Sequence, residues 1–205
     1  MQGYIISIKN VRDEDTIVEI LTKNQIYKTY RFYGMRHGSI NIGFKIDFEL
    51  EHNLKSNIAR LKDVMHLNFE WIFEREKLFA WQKFIKLLPA HFKDVENIDG
   101  GYFELLDETA KKLTKQSEKR VFVETYIKIL KLEGRLHDDF ICFLCELSIQ
   151  EDIAISRAFL PAHKNCTFSP TIKKEKLEQL YATNSTIFLD DAEVEILWDV
   201  LMQGL

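Results

Sequence analysis

The sequence predicts an α+β chain: a small closed β-barrel, then a mostly helical domain broken by a short insertion. Three observations predict it. Over about the first seventy residues, short runs rich in aromatic and β-branched residues follow one another with turn-sized gaps. From Trp71 onward, apolar residues instead recur every three and four positions. Late in the chain, two closely spaced pairs of metal-ligating residues interrupt the helical pattern. The change of period places a boundary near residues 70–78, giving domains 1–74 and 75–205 with the insertion at 142–166.

Each element has its own justification. Tyr4 to Ile8 and Thr16 to Thr22 read as strands, and Lys23-Asn24-Gln25 as the tight connection to a third at Ile26 to Tyr33. Phe44, Ile46, Phe48 and Leu50 alternate with charged residues, the pattern of a half-buried antiparallel strand. A fifth strand is expected within Ile58 to Leu67, and five such strands suit a small closed barrel. Leu78, Trp81, Ile85, Leu88 and Phe92 form the first helical stripe, which Pro89 ends or bends. Phe103, Leu106, Ala110 and Leu113 form a second, and Phe122, Tyr126, Ile129 and Leu130 a third. Asp190, with Glu193 three residues on, predicts a capped helix through Val194, Leu197, Trp198 and Leu201. Residues 148–165 show no clear apolar period and read as a loop.

Composition excludes several classes. Fifteen Phe, seven Tyr and three Trp in 205 residues need burial, so the chain folds. No apolar run approaches the ~20 residues that span a bilayer. The N-terminus, MQGYIISIKNVRDEDT, lacks the basic n-region of a secretion signal, and three cysteines do not make a disulfide framework. A cytoplasmic protein is expected. The net charge of −4 does not indicate a blanket electrostatic grip on nucleic acid. Residues 1–62 nonetheless carry ten Lys and Arg against seven acids, so any such grip is local to the front of the chain.

No catalytic residue stands out. There is no Gly-Lys dipeptide, hence no phosphate-cradling loop of the P-loop type, and no glycine-spaced dinucleotide fingerprint. The turn Asp13-Glu14-Asp15 and the triplet His137-Asp138-Asp139 read as solvated acids rather than metal sites. The cysteines are more specific. Cys142 and Cys145 form a C-x2-C pair, and His163 and Cys166 an H-x2-C pair. A two-residue gap lets both members of a pair reach one ion, and two such pairs make a tetrahedral Cys3His site with no open position. One structural zinc per chain is expected, against the simpler reading of Cys142 and Cys145 as small hydrophobes in an apolar run.

The barrel offers a second constellation. Lys28, Tyr30, Arg31, Phe32 and Tyr33 lead into Gly34-Met35-Arg36-His37-Gly38-Ser39, and Lys45 follows on the next strand. Basic side chains interleaved with aromatics suit single-stranded nucleic acid, where phosphates are neutralised and bases stack. Lys28, Arg31, Arg36, His37 and Lys45 are the candidate phosphate ligands, and Tyr30 and Tyr33 the candidate stacking residues. A protein-interaction adaptor whose barrel and zinc knuckle dock partners without touching DNA is the alternative.

In order along the chain, these parts resemble the RecO family of recombination mediators. The resemblance lies in Gly3-Tyr4-Ile5-Ile6, the acidic turn Asp13-Glu14-Asp15, the strand Thr16 to Thr22, the Gly-Met-Arg-His-Gly loop, the strand Phe44 to Leu50, and a helical domain interrupted by paired zinc ligands. Many members have two C-x2-C pairs; here His163 replaces one ligand. The resemblance implies an N-terminal OB-fold and a non-enzymatic role in DNA repair. It further implies binding to single- and double-stranded DNA, annealing of complementary strands, and work with RecR and single-strand DNA-binding protein to load RecA.

Overall fold

The structure, a computed structural model, describes residues 1–36, 38–52, 56–93, 98 and 100–204. It divides into two compact units, Met1–Thr114 and Lys115–Leu205. Strands give way to helices between Leu67 and Arg75, where the sequence changes period. The first unit extends beyond that point because three helices pack with the barrel.

The first unit begins with β1 (Gln2–Arg12), β2 (Asp15–Leu21) and β3 (Ile26–Arg31), followed by β4 (Lys45–Glu51) and β5 (Ala59–Leu67). They close into a barrel of order β1-β2-β3-β5-β4, with β4 returning to pair with β1. All pairings are antiparallel except β3 with β5, which run parallel with Tyr30 opposite Arg60. Ile5, Val18, Ile20, Ile46, Phe48 and Leu61 fill the interior. The alternation in β4 is realised: Ile46 and Phe48 are buried, and Phe44 and Leu50, partly buried, pack against the core.

Helix α1 (Arg75–Ile85) meets the barrel at Gly43. The indole Nε1 of buried Trp81 donates to the Gly43 carbonyl at 2.7 Å. Gly43 has φ +84, and a Cβ there would lie 2.6 Å from that same Nε1, so only glycine permits the approach. Pro89 does end the stripe. It sits in the first turn of the short α2 (Leu88–His91), where its missing N–H removes no helical bond. Helix α3 (Gly101–Lys112) is tied back by Trp71, whose Nε1 donates to the Ala110 carbonyl at 2.7 Å. Phe69 stacks on Trp71 with ring centres 4.7 Å apart.

The second unit is built on α4 (Glu118–Leu132), which is buried without a break from Val121 to Ile127. It packs against α7 (Asp191–Leu201), with Phe122 against Trp198 at 5.7 Å between centroids. The expected cap is present. Asp190 accepts the Glu193 N–H and Glu193 accepts the Asp190 N–H, both at 2.9 Å. Residues 148–165 are not a loop. They hold β6 (Asp152–Ser156) and β7 (Leu160–His163), which join β8 (Thr171–Lys173) in an antiparallel sheet of order β7-β6-β8. Ile153, Ala154 and Ile155 are all buried, a contiguous apolar run with neither a strand's nor a helix's period. The one-turn α5 (Lys164–Thr167) follows β7, and α6 (Lys174–Thr183) follows β8.

Candidate nucleic-acid interface and metal centre

The sequence-predicted cations and aromatics of the barrel occupy different settings. The acidic turn between β1 and β2 organises the loop after β3. Asp15 accepts the Tyr30 hydroxyl at 2.6 Å and the Tyr33 N–H at 2.8 Å, and Glu14 pairs with Arg36. The Tyr30 hydroxyl first and the Tyr33 N–H second hold the Asp15 carboxyl below its ordinary range against desolvation, with a lesser contribution from the charge of Arg12. The same bond raises the Tyr30 phenol. Tyr33 has φ +52, the left-handed conformation, and its exposed ring lies under the Arg36 guanidinium at 5.3 Å.

Other members are engaged within the fold. Arg31 is half-buried and donates from Nη1 to the Leu61 carbonyl at 2.8 Å, tying β3 to β5. Lys28 is exposed on β3, opposite Glu19. Lys45 lies elsewhere, 2.7 Å from Asp107 of α3 and over the Phe103 ring at 5.0 Å. Asp107 also accepts the hydroxyl of Tyr4. Burial and Asp107 together push the Tyr4 phenol far up. His37 lies outside the described residues.

Phe32 and Arg60 make a pairing that sequence reasoning missed. The Arg60 guanidinium lies over the exposed Phe32 ring at 5.0 Å, and Phe32 meets Tyr30 edge-on at 5.0 Å. Only the parallel pairing of β3 with β5 brings Arg60 there, so no local signal announces it. The loop therefore displays two arginine–aromatic stacks, Tyr33 with Arg36 and Phe32 with Arg60.

In the second unit all four predicted metal donors come together. The donor atoms of Cys142, Cys145, His163 and Cys166 lie within 4.8 Å of one another. Cys142 and Cys145 sit on a tight turn closed by bonds from Cys142 N–H to Leu147 O, 2.9 Å, and from Glu146 N–H to Cys142 O, 2.8 Å. Phe143 N–H donates to Pro161 O at 3.0 Å, joining that turn to β7, whose last residue is His163. Cys166 lies on α5, which ends at Phe168 with φ +57. Cys145 Sγ is 3.3 Å from His163 Nδ1, and His163 N–H points at Cys142 Sγ at 3.5 Å.

Electrostatics distinguish the thiols. Burial opposes ionisation of Cys142, but the N–H groups of His163, Cys145 and Leu144 outweigh it and bring the thiol down to about 6. Burial, and then Cys142 and Cys145, push Cys166 up to about 11. Three sulfurs and one imidazole around a single point, with N–H groups directed at sulfur, make a closed set of soft donors. The cluster can hold a metal ion.

Residues 1–72 match the family model for the RecO N-terminal domain. The match spans the five strands of the barrel, about a third of the chain. The match supports a RecO-family protein and, with it, a RecO-type role in DNA repair and recombination, a family of generally non-enzymatic mediators that interact with DNA and recombination partners. No curated protein matches the chain significantly. Among the described residues, no helix is long and apolar enough to cross a membrane.

Proposed function

We propose that the chain is a non-enzymatic recombination mediator whose barrel binds single- and double-stranded DNA and anneals complementary strands. The observation that carries this reading is the pair of exposed arginine–aromatic stacks beside the acidic turn. Each stack joins a π-face for an unpaired base to a cation for the adjoining phosphate. Tyr33 and Phe32 take bases; Arg36 and Arg60, with Lys28, His37 and Arg12 nearby in the sequence, take phosphates. Tyr30 and Arg31 hold the loop in shape, and Lys45 contributes from its ion pair with Asp107. Annealing needs only strands held with their charge screened and their bases accessible. In this role the chain acts with RecR and single-strand DNA-binding protein to load RecA, in the cytoplasm.

The metal of the second unit is zinc, one per chain, held by Cys142, Cys145, His163 and Cys166. A filled Cys3His set offers no position for substrate, so the ion serves folding. Titrating a labelled single-stranded oligonucleotide at several salt concentrations tests the DNA reading. Arg36→Ala with Arg60→Ala should weaken binding and flatten its salt dependence by about 1.4, at ~0.7 per lost contact on a single strand. A folded double variant with unchanged affinity and slope would refute it.

A further inference from the structure

The turns that carry the metal donors leave an apolar surface uncovered. Ile141, Phe143 and Leu144 flank Cys142 and Cys145, and Leu147 closes that turn by accepting the Cys142 N–H. All four are exposed, Leu147 to 66%. On the second turn Phe168, two residues past Cys166, is 89% exposed. Because the four donor atoms converge within 4.8 Å, the two turns that carry these side chains lie together. Single exposed hydrophobics are ordinary, but a contiguous group on a pinned turn marks an interaction surface.

Its charge identifies the partner. Residues 136–156 contain Asp138, Asp139, Glu146, Glu151 and Asp152, with no Lys or Arg. All five are exposed, and residues 157–168 add two exposed cations, Arg157 and Lys164, so acids outnumber cations five to two from 136 to 168. Lys174 is already engaged: its ammonium donates to the Ile149 carbonyl at 3.0 Å and lies over the Phe140 ring. A carboxylate rim repels phosphate, whether of nucleic acid or of an anionic lipid surface, so the exposed rings of Phe143 and Phe168 have no cation beside them to hold a strand. We infer that the outer face of this knuckle docks another protein, through a segment whose apolar side chains are flanked by Lys and Arg. The apolar contacts supply affinity at the centre, and the carboxylates steer and orient at the rim. This does not depend on the barrel binding DNA.

The test uses the full metal-loaded chain and two fluorescein-labelled amphipathic helical peptides. One is composed of Leu and Lys; the other has Glu in place of every Lys. Two variants leave the donors intact: Leu144→Ser with Leu147→Ser, and Asp138→Asn with Asp139→Asn and Glu146→Gln. Metal content and melting temperature establish that each is folded, and each remains a test if the other is not. The Lys peptide should bind the wild-type chain, and each variant should weaken it by about tenfold or more, the scale of losing an interface anchor. The charge variant should also flatten the salt dependence, and the Glu peptide should not bind. The inference fails if the Lys peptide does not bind, if both variants bind it as the wild type does, or if the Glu peptide binds equally well. It also fails if the chain sediments as a dimer that Leu144→Ser with Leu147→Ser dissociates, because a second copy then covers this face.

Discussion

The loop after β3 and the metal-donor turns of the knuckle after α4 are held by opposite means and present opposite surfaces. The barrel loop is fixed by side chains of a neighbouring turn: Asp15 takes two hydrogen bonds from it and Glu14 an ion pair. It exposes arginines against aromatic rings. The knuckle is fixed by backbone bonds that bring four soft donors to one point, and it exposes apolar side chains among carboxylates. The units around them differ in the same sense. Met1–Thr114 contains 17 Lys and Arg and 17 acids, whereas Lys115–Leu205 contains 11 and 15. Net charge over the whole chain hides this asymmetry. The lesson is that a mildly acidic protein can hold a local basic-aromatic surface, provided its acids lie elsewhere or serve as scaffolding.

The largest expected effect comes from breaking the knuckle. Removing the metal with a chelator, or replacing Cys142 by Ser, takes away a ligand that binds only the folded unit. Linkage makes that worth about 4 kcal/mol when free metal exceeds Kd about a thousandfold. Calorimetry of the full chain should show the second unit melting earlier, while in a Trp198→Phe background the tryptophan fluorescence, left to buried Trp71 and Trp81, reports a first unit little changed. An equal loss in both units would show that their stabilities are not separate. The corresponding break in the first unit is Gly43→Ala. It forces a positive φ on alanine and sets a methyl against the Trp81 indole, at about 1–3 kcal/mol of overpacking. The metal content of that variant should stay at the wild-type level, as elemental analysis of the purified protein would establish.

A smaller effect sharpens the contrast between the surfaces. Arg60→Ala removes one cation and one stack and leaves the barrel core intact. Single-strand affinity should fall by roughly 1 kcal/mol and the salt slope by about 0.7. Lys164→Ala on the knuckle should change neither. Equal losses for the two substitutions would mean that DNA also lies over the second unit.

These contrasts were unequally legible in the sequence. The strand β4 was plain because one face is buried and the other wet, so its alternation is strict. The metal donors were plain because ligand spacing is a local constraint. Arg60 was not, since its partner Phe32 is reached through a parallel pairing of distant strands. Charge alone marked Lys45 and Arg31, but not the partners that engage them: Asp107 lies 62 positions from Lys45, and the Leu61 carbonyl 30 from Arg31. The β6–β7 hairpin escaped because its buried run Ile153-Ala154-Ile155 has no period, and the extent of the first unit because packing on the barrel leaves no composition shift at Thr114.

The smallest expected effect concerns acid, and it separates the two scaffolds by pH. The metal donors must be deprotonated to bind, and with Cys166 pushed up to about 11 and Cys142 brought down to about 6, protons already compete for the knuckle at neutral pH and compete harder as pH drops. Asp15 behaves differently. Its folded-state pKa is depressed, by the Tyr30 hydroxyl first and the Tyr33 N–H second. The stability it contributes is therefore fully present above the unfolded value of about 3.9 and is lost only as pH falls through the lower folded value. On acidification the knuckle should release its metal while the Tyr33 amide still shows its hydrogen-bonded chemical shift. That amide should move only at more acid pH. In Asp15→Asn, which keeps an acceptor but loses the charge, the acid step of the Tyr33 amide should vanish, and metal release should follow the wild-type curve. If the Tyr33 amide instead titrates together with metal release in the wild type, the loop does not depend on the Asp15 carboxylate, and the two scaffolds are not independently held.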